Sequence, residues 1–173
     1  MATDRALFIG RFQPFHHGHQ KVVERLLELY DEVIIAIGSA ESSFTEDNPF
    51  SAGERVDMIR LAFTPEQLSR LVIIPVRDVQ DHSLWANHLK SYVPSFRVVH
   101  SNNPLVTELF DKAGVKVVPI EYVDRGLKEG RLIRELMAQG KDEWKKHVPV
   151  GSAGFIESIK GAERLRDIKR KRD

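Results

Sequence analysis

The residue types in this chain that are best suited to chemistry lie together in residues 10–19. Arg11 carries a planar guanidinium that can bind two phosphate oxygens at once. His16 and His19 are three residues apart, so both imidazoles lie on one face if a helix begins here. Gly10 and Gly18 have no side chain and let the backbone approach a ligand closely. This segment therefore predicts an anion site for phosphate groups.

A helix that begins within this segment would strengthen such a site, because a helix N-terminus offers free N–H groups and the positive end of its dipole. Phosphoryl-type transfer depends on positioning and charge stabilisation, and it needs no covalent nucleophile. The glycine pattern matches neither G-x-G-x-x-G nor a Walker P-loop. Two alternatives stay open for the histidine pair, a helix cap or half of a metal site, although no HExxH motif and no third ligand lies nearby.

The composition excludes other kinds of chemistry. The chain has 173 residues and no cysteine, so it has no disulfide, zinc–thiolate site or cysteine nucleophile. No apolar run approaches the ~18 residues of a membrane span, and no basic-then-apolar leader begins the chain. We expect one domain over residues 1–173, in the cytoplasm and without a membrane partner. Residues 164–173 hold six Lys or Arg, and we expect a frayed terminus there rather than a nucleic-acid site.

Apolar runs alternate between strand-like and helix-like spacing along the chain. Strands are predicted at residues 6–9, 32–38, 71–75, 97–100 and 115–120. Helices are predicted at residues 19–30, 51–63, 82–92, 104–113, 130–139 and 151–168. This order predicts an α/β fold, Rossmann-like, with a doubly wound five-stranded parallel sheet, helices on both faces and a C-terminal helical segment from 150 to 173. Ligands bind such sheets beyond the carboxyl ends of the strands, which is where residues 10–19 follow the first strand.

The sequence GRFQPFHHGH at residues 10–19 resembles the HxGH-type nucleotidyltransferases, and the archaeal nicotinamide-mononucleotide adenylyltransferases in particular. Further segments are similar to the same family and together cover nearly the whole chain: IGSA at 37–40, PFSAGER at 49–55, PVRD at 75–78, LW at 84–85 with His88, NPLV at 103–106 and IKGAERL at 159–165.

The resemblance implies an enzyme that joins nicotinamide mononucleotide (NMN) to the AMP part of ATP, giving NAD and pyrophosphate. Magnesium would accompany ATP, with no prosthetic group and no resident metal, and such enzymes are often homo-oligomers, frequently hexamers. The implied catalytic residues are Arg11, His16, His19 and Arg134. The implied binding residues are Gly10, Phe12, Gln13, Gly18, Gly38, Ser39, Asp78, Trp85 and Asn103, with Trp85 and Asp78 near the nicotinamide and Asn103 on the adenosine side.

Three positions depart from the family pattern. Asp47 stands where a basic residue is usual, and His82 replaces an asparagine. In the late S-x-T-x-I-R signature, Glu129 replaces the serine and Arg131 the threonine, while Arg134 is retained and Lys128 adds a nearby charge. The first two departures concern the acceptor. The alternatives are therefore a nucleotidyltransferase for another acceptor (phosphopantetheine, FMN or an alcohol phosphate) and a non-catalytic nucleotide-binding paralogue.

Trp85 and Asp78 each have a structural alternative to a role in binding. Trp85 is a core aromatic by default, and only the resemblance favours a ligand contact. Asp78 follows a strand, where an aspartate that caps a loop is nearly as common. Trp144 lies among lysines, and we expect it to be a surface anchor at a helix end.

Overall fold

A computed structural model describes residues 3–120 and 126–171 of the chain. Within these ranges the strands are β1 (Arg5–Gly10), β2 (Glu32–Ile37), β3 (Leu71–Pro75), β4 (Val98–His100) and β5 (Lys116–Val118). The α-helices are α1 (His17–Leu29), α2 (Ala52–Arg60), α3 (Pro65–Leu68), α4 (Trp85–Tyr92), α5 (Pro104–Lys112), α6 (Gly126–Ala138), α7 (Val150–Ser158) and α8 (Gly161–Arg170). Short 3-10 helices cover His82–Leu84 and Asp142–His147.

The strands form one parallel sheet in the order β3-β2-β1-β4-β5. In the central strand β1, Ala6 lies opposite both Val33 of β2 and Val98 of β4. The chain moves outward from β1 to β3, returns to β4 beside β1 and then continues to β5. The loops after β1 and β4 therefore diverge and leave a crevice between them. The predicted doubly wound five-stranded parallel sheet is confirmed.

Both faces of the sheet are covered by helices. In β2, Val33, Ile35 and Ile37 pack into a core with residues of α1, α2, α6, α7 and α8. The alternate residues Ile34 and Ala36 pack into a second core with α4 and α5. Because both faces are buried, the strand is an unbroken apolar run, as expected for a parallel sheet.

The single helix predicted for residues 151–168 is wrong, because the chain forms two helices there, α7 and α8. Lys160 separates them with a φ of 54°, in the left-handed region that helices of L-residues do not continue through. Gly161 follows so close to Phe50 that an added Cβ would lie 2.7 Å from its ring. This close approach seats α8 against the loop that precedes α2.

Two expectations about the protein surface are also wrong. Trp144 is only 3% exposed and belongs to the main core, because the unpredicted 3-10 helix Asp142–His147 carries it inward. The basic terminal segment is not frayed where it is described, since it forms α8. There Arg164 donates to both carboxylate oxygens of Glu54, and Lys169 pairs with Glu46 at 2.9 Å.

Two further helices differ from their predicted bounds or were not predicted. The four-residue helix α3 was not among the predicted elements, and α6 begins at Gly126 rather than at residue 130. The capping box of α2 has Ser51 and Glu54 bonded to each other's backbone N–H groups. In the described part of the chain, no helix is both long enough and apolar enough to cross a membrane.

Candidate active site

A cavity of about 430 Å³ lies where the strand order reverses, within the usual size range of ligand pockets. Its wall combines the loops that follow β1, β2, β3 and β4 with residues of α1, α4, α5 and α6. All the residues predicted for the site lie on this wall: Gly10, Arg11, Phe12, Gln13, His16, Gly18, His19, Gly38, Ser39, Asp78, Trp85, Asn103 and Arg134. The structure thus brings the whole set together, while the role of each residue stays a prediction.

His16 and His19 cap α1 reciprocally. The backbone N–H of His19 donates to Nδ1 of His16 at 3.4 Å, and the backbone N–H of His16 donates to Nδ1 of His19 at 3.3 Å. The two rings stack with their centroids 3.5 Å apart. The helix-cap alternative therefore describes part of what the pair does. When Nδ1 of a neutral imidazole accepts, the proton is on Nε2, so the cap places the ring proton of each histidine on Nε2.

The surroundings of His19 keep its ring neutral. The ring meets Phe12 edge-on at 4.8 Å and stacks with Phe15 at 5.5 Å. Burial lowers the pKa of His19 well below its ordinary value of 6.5, and protonation of the neighbouring His16 lowers it further. A neutral imidazole at this position acts as a hydrogen-bond donor without a buried charge.

This lowered pKa predicts acid lability. Below about pH 6.5 the unfolded chain binds a proton at His19 that the folded chain does not, so the free energy of unfolding falls as pH falls. We expect the urea midpoint of the wild type to decrease from pH 7.5 to pH 5.5, and that of His19→Gln to decrease less. His100, whose pKa burial also lowers, titrates in both proteins and cancels in the comparison. Equal pH dependence of the two midpoints would contradict the assignment.

Arg134 reaches the cavity from α6. Its Nη1 donates to the carbonyl of Gln13 at 2.9 Å, and its Nη2 lies 3.5 Å from Oδ1 of Asp47. Burial lowers the pKa of Arg134; the charge of Asp47 opposes this shift, and that of Arg11 adds to it. Arginine nevertheless stays protonated in proteins. Arg11 and Arg134 therefore give the cavity two positive charges.

Two of the predicted binding residues have side chains that are engaged within the protein. The amide of Gln13 donates to the carbonyl of Phe50 at 2.9 Å and accepts from its N–H at 3.0 Å. Phe12 is 2% exposed, has a φ of 53° and packs against Phe8 and His19. These contacts shape the loop that carries Arg11, rather than offering the Gln13 amide to a ligand.

Asp78 is held by the segment after β2. Its carboxylate accepts from the Ser39 hydroxyl at 2.6 Å and from the Ser39 N–H at 3.2 Å. Asp78 therefore caps a loop, as the structural alternative predicts, and it also lines the cavity. Trp85 opens α4, is partly buried, and meets Phe110 edge-on at 5.9 Å, so it contributes to both the core and the cavity wall.

The loop after β4 completes the wall. The side chain of Asn103 caps α5 by accepting from the Leu105 N–H at 3.0 Å. Asn102 pairs with the backbone of Ile120 through two hydrogen bonds of 2.8 Å. Ser101, Asn102 and Ile120 also line the cavity and are not among the predicted site residues. Only their position in the sequence could have indicated them, because they follow the carboxyl ends of β4 and β5, where ligands bind.

Of the residues that depart from the family pattern, Glu129 lies beside the histidine pair. The Oε2 of Glu129 lies 3.6 Å from Nδ1 of His16, and its Oε1 lies 3.7 Å from Nδ1 of His147. A carboxylate therefore lies beside the N-terminus of α1, where we expect a phosphate. The side chains of His82 and Lys128 lie outside the described part of the structure. Among residues 3–120 and 126–171, no group of three or more His, Asp or Glu could hold a metal ion.

Comparison with known proteins first defines the class. Residues 7–145 match the cytidylyltransferase-like family. The fold is similar to that of a bifunctional NMN adenylyltransferase/ADP-ribose pyrophosphatase from Francisella tularensis, whose crystal structure contains AMP and a manganese ion. The TM-score is 0.75 at 22% identity, and the likeness covers 96% of this chain but only 52% of that one. The chain thus spans about half of the Francisella protein, and the fold is that of a nucleotidyltransferase.

The sequence comparison narrows the class. The chain is 47% identical over 171 residues to the nicotinamide-nucleotide adenylyltransferase of Archaeoglobus fulgidus, covering 95% of this chain and 97% of the relative. It is 46% identical over 168 residues to that of Methanothrix thermoacetophila, covering 96% and 97%. The chain belongs to the nicotinamide-nucleotide adenylyltransferase family, a group of nucleotidyltransferases, which confirms the resemblance predicted from its motifs.

Proposed function

We propose that this protein transfers AMP from ATP to nicotinamide mononucleotide, forming NAD and pyrophosphate. An oxygen of the acceptor phosphate attacks the α-phosphorus of ATP. The bond from that phosphorus to the oxygen bridging to the β-phosphate breaks, and pyrophosphate leaves with its electrons. Magnesium enters bound to ATP as part of the substrate. The reaction needs no protein nucleophile, and the protein positions the substrates and stabilises the charge that develops.

The observation that carries this proposal is the stacked His16–His19 pair at the start of α1, on one cavity wall with two arginines. We assign the Nε2–H donors of both histidines, with Arg11 and Arg134, to the phosphate oxygens of ATP. Donors fixed in advance cost no reorganisation when charge develops, and the loss of one typically lowers kcat about 10²- to 10³-fold.

A second observation favours nicotinamide mononucleotide as the acceptor. Its pyridinium ring is a flat cation, and cations bind over the face of a tryptophan. Trp85 and the carboxylate of Asp78 both line the cavity, so an aromatic ring and a negative charge lie on the same wall. We assign these two residues to the nicotinamide and Asn103 to the adenosine side.

The test is NAD formation from ATP, nicotinamide mononucleotide and magnesium, with the His16→Ala/His19→Ala double variant as the blank. Wild-type turnover no higher than the blank contradicts the proposal. The two alternatives give different results. Pyrophosphate release with FMN, phosphopantetheine or an alcohol phosphate, but not with nicotinamide mononucleotide, indicates another acceptor. Nucleotide binding with no pyrophosphate release indicates a non-catalytic paralogue.

Asp47 is expected to weaken ATP binding slightly, because its carboxylate competes with phosphate for Arg134. The Asp47 side chain is 77% exposed, so solvent screens the interaction and exposed pairs are worth about 0.2–1 kcal/mol. We expect Asp47→Asn to lower KM for ATP about 1.5- to 5-fold, measured by initial rates at saturating acceptor. Glu46→Gln is the matched control, since Glu46 pairs with Lys169. A KM for ATP that rises in Asp47→Asn would contradict this reading.

We propose a single domain over residues 1–173 that works in the cytoplasm as a homo-oligomer, with the hexamer as the expected state. Light scattering on the purified protein measures that state directly.

A further inference from the structure

We infer that Arg55 is a positioning residue that holds the ATP side and the acceptor side of the cavity at a fixed separation. This inference rests on the proposed function and assigns no substrate contact to Arg55. It concerns a guanidinium that is fully buried and that the proposed chemistry does not use.

The Arg55 side chain extends from the first turn of α2 and donates hydrogen bonds to four backbone carbonyls. Its Nη1 donates to the carbonyls of Arg11 at 2.9 Å and of Gly38 at 2.8 Å. Its Nη2 donates to the carbonyl of Ser39 at 3.0 Å, and its Nε to that of Ser51 at 3.2 Å. One side chain therefore bonds to the loops after β1 and β2 and to the start of α2.

The carbonyls it joins belong to the two sides of the proposed site. Arg11 follows β1 and is assigned to the triphosphate. Ser39 follows β2 and holds Asp78 through its hydroxyl and its N–H, and Asp78 is assigned to the acceptor. The guanidinium therefore holds the two loops together, in addition to the bond from the Gly38 N–H to the Gly10 carbonyl at 2.9 Å.

Arginine suits this position for a geometric reason. A guanidinium is planar and presents five N–H donors in fixed directions. A lysine carries its three donors on one nitrogen, so it cannot reach carbonyls on both edges of the group at once. The carboxylates of Glu41 and Asp78 favour the charged form of Arg55, although burial lowers its pKa to about 10. At neutral pH the group therefore remains a cation.

A purely structural role for Arg55 makes a different prediction. If Arg55 only stabilised the fold, its loss would lower Tm and leave the turnover of the folded fraction unchanged. If it sets the separation of the loops, turnover falls in the folded enzyme, because a misplacement of about 1 Å costs on the order of 10²-fold in rate. The affinity for ATP and the affinity for the acceptor change much less, because each binds on one side of the cavity.

The chain offers a matched control in Arg70. This residue also donates to three carbonyls, those of Leu27, Tyr30 and Asp31, at 2.6 to 2.9 Å. It precedes β3 and binds the segment that precedes β2, so it lies at the amino end of the sheet and away from the cavity. Arg70→Lys therefore measures the cost of losing carbonyl bonds without disturbing the site.

The experiment compares wild type, Arg55→Lys, Arg55→Gln and Arg70→Lys in full-length protein, at temperatures where circular dichroism shows each to be folded. We expect Arg55→Lys to lower kcat for NAD formation about 10²-fold, with KM for each substrate within about threefold of wild type. Arg70→Lys is expected to lower Tm and to keep the wild-type kcat.

Several results would overturn the inference. One is a kcat of Arg55→Lys within about threefold of wild type. Another is a loss of kcat in Arg55→Lys no greater than that in Arg70→Lys. The third is failure of both Arg55 variants to fold, which would assign Arg55 to the stability of the whole fold. Absence of NAD formation by the wild type is a separate result, and it contradicts the proposed function itself.

Discussion

Replacing His16 with asparagine is expected to lower kcat for AMP transfer about 10²- to 10³-fold while leaving α1 capped. His16 is fully buried, and its Nδ1 accepts from the backbone N–H of His19. Asparagine is among the best N-cap residues, so its side-chain oxygen can replace that acceptor. It cannot place a donor where Nε2 lies, because its side chain is shorter. The variant thus separates the hydrogen bond to phosphate from the helix cap.

The comparison with His16→Ala makes this test decisive. Alanine removes both the cap and the donor, and loss of a cap costs about 1 kcal/mol of stability. We expect both variants to lose turnover by similar factors and only His16→Ala to lose the additional stability, as measured by initial rates and by urea unfolding. If His16→Asn keeps wild-type kcat, then His16 is only a cap and the assignment to phosphate is wrong.

Arg134→Gln is expected to lower kcat/KM for ATP about 10²-fold or more and to change KM for the acceptor little. The guanidinium of Arg134 is fixed by the Gln13 carbonyl and its side chain is only 13% exposed, so solvent screens its charge weakly. Charge-assisted hydrogen bonds from arginine to phosphate are among the stronger contacts in proteins. Glutamine removes the charge and, because its side chain is shorter, also withdraws the terminal N–H donors.

The matched control for this prediction is Arg131→Gln. Arg131 lies one turn earlier on α6, its side chain is 78% exposed, and it pairs with Glu135 at 2.8 Å. The two variants change the net charge equally. A loss of kcat/KM in Arg131→Gln as large as that in Arg134→Gln would show that only the overall charge matters, which contradicts the assigned contact. The variants are compared at several salt concentrations, where a through-solvent effect would weaken.

Much of the site was predictable because its signals are local. The spacing of His16 and His19 places both rings on one helical face, and the short apolar run before Gly10 identifies the strand that precedes them. The unbroken apolar run in β2 likewise indicates a strand with both faces buried. Such patterns follow from the periodicity of the backbone, so they need no knowledge of the rest of the chain.

Other features depend on which distant segments meet. Trp144 is surrounded in sequence by lysines, but its burial depends on how the 3-10 helix packs against the core. The position of α8 depends on the close approach of Gly161 to Phe50. Arg55 lies in the first turn of a helix whose sequence is ordinary. Its side chain is nevertheless fully buried and donates to backbone carbonyls of two other loops. No local pattern marks any of these contacts.

The sequence by itself therefore determined the five strands, most of the helices, the parallel sheet and, through its motifs, the family, and it also identified the segment predicted to bind phosphate. Each of these depends on residue type and on spacing over a few positions. Only the tertiary structure decided that the histidines use Nδ1 for the cap, that Gln13 is engaged with Phe50, and that Arg55 joins the two sides of the cavity. Those facts depend on distances between segments far apart in the chain, which packing sets and local pattern does not.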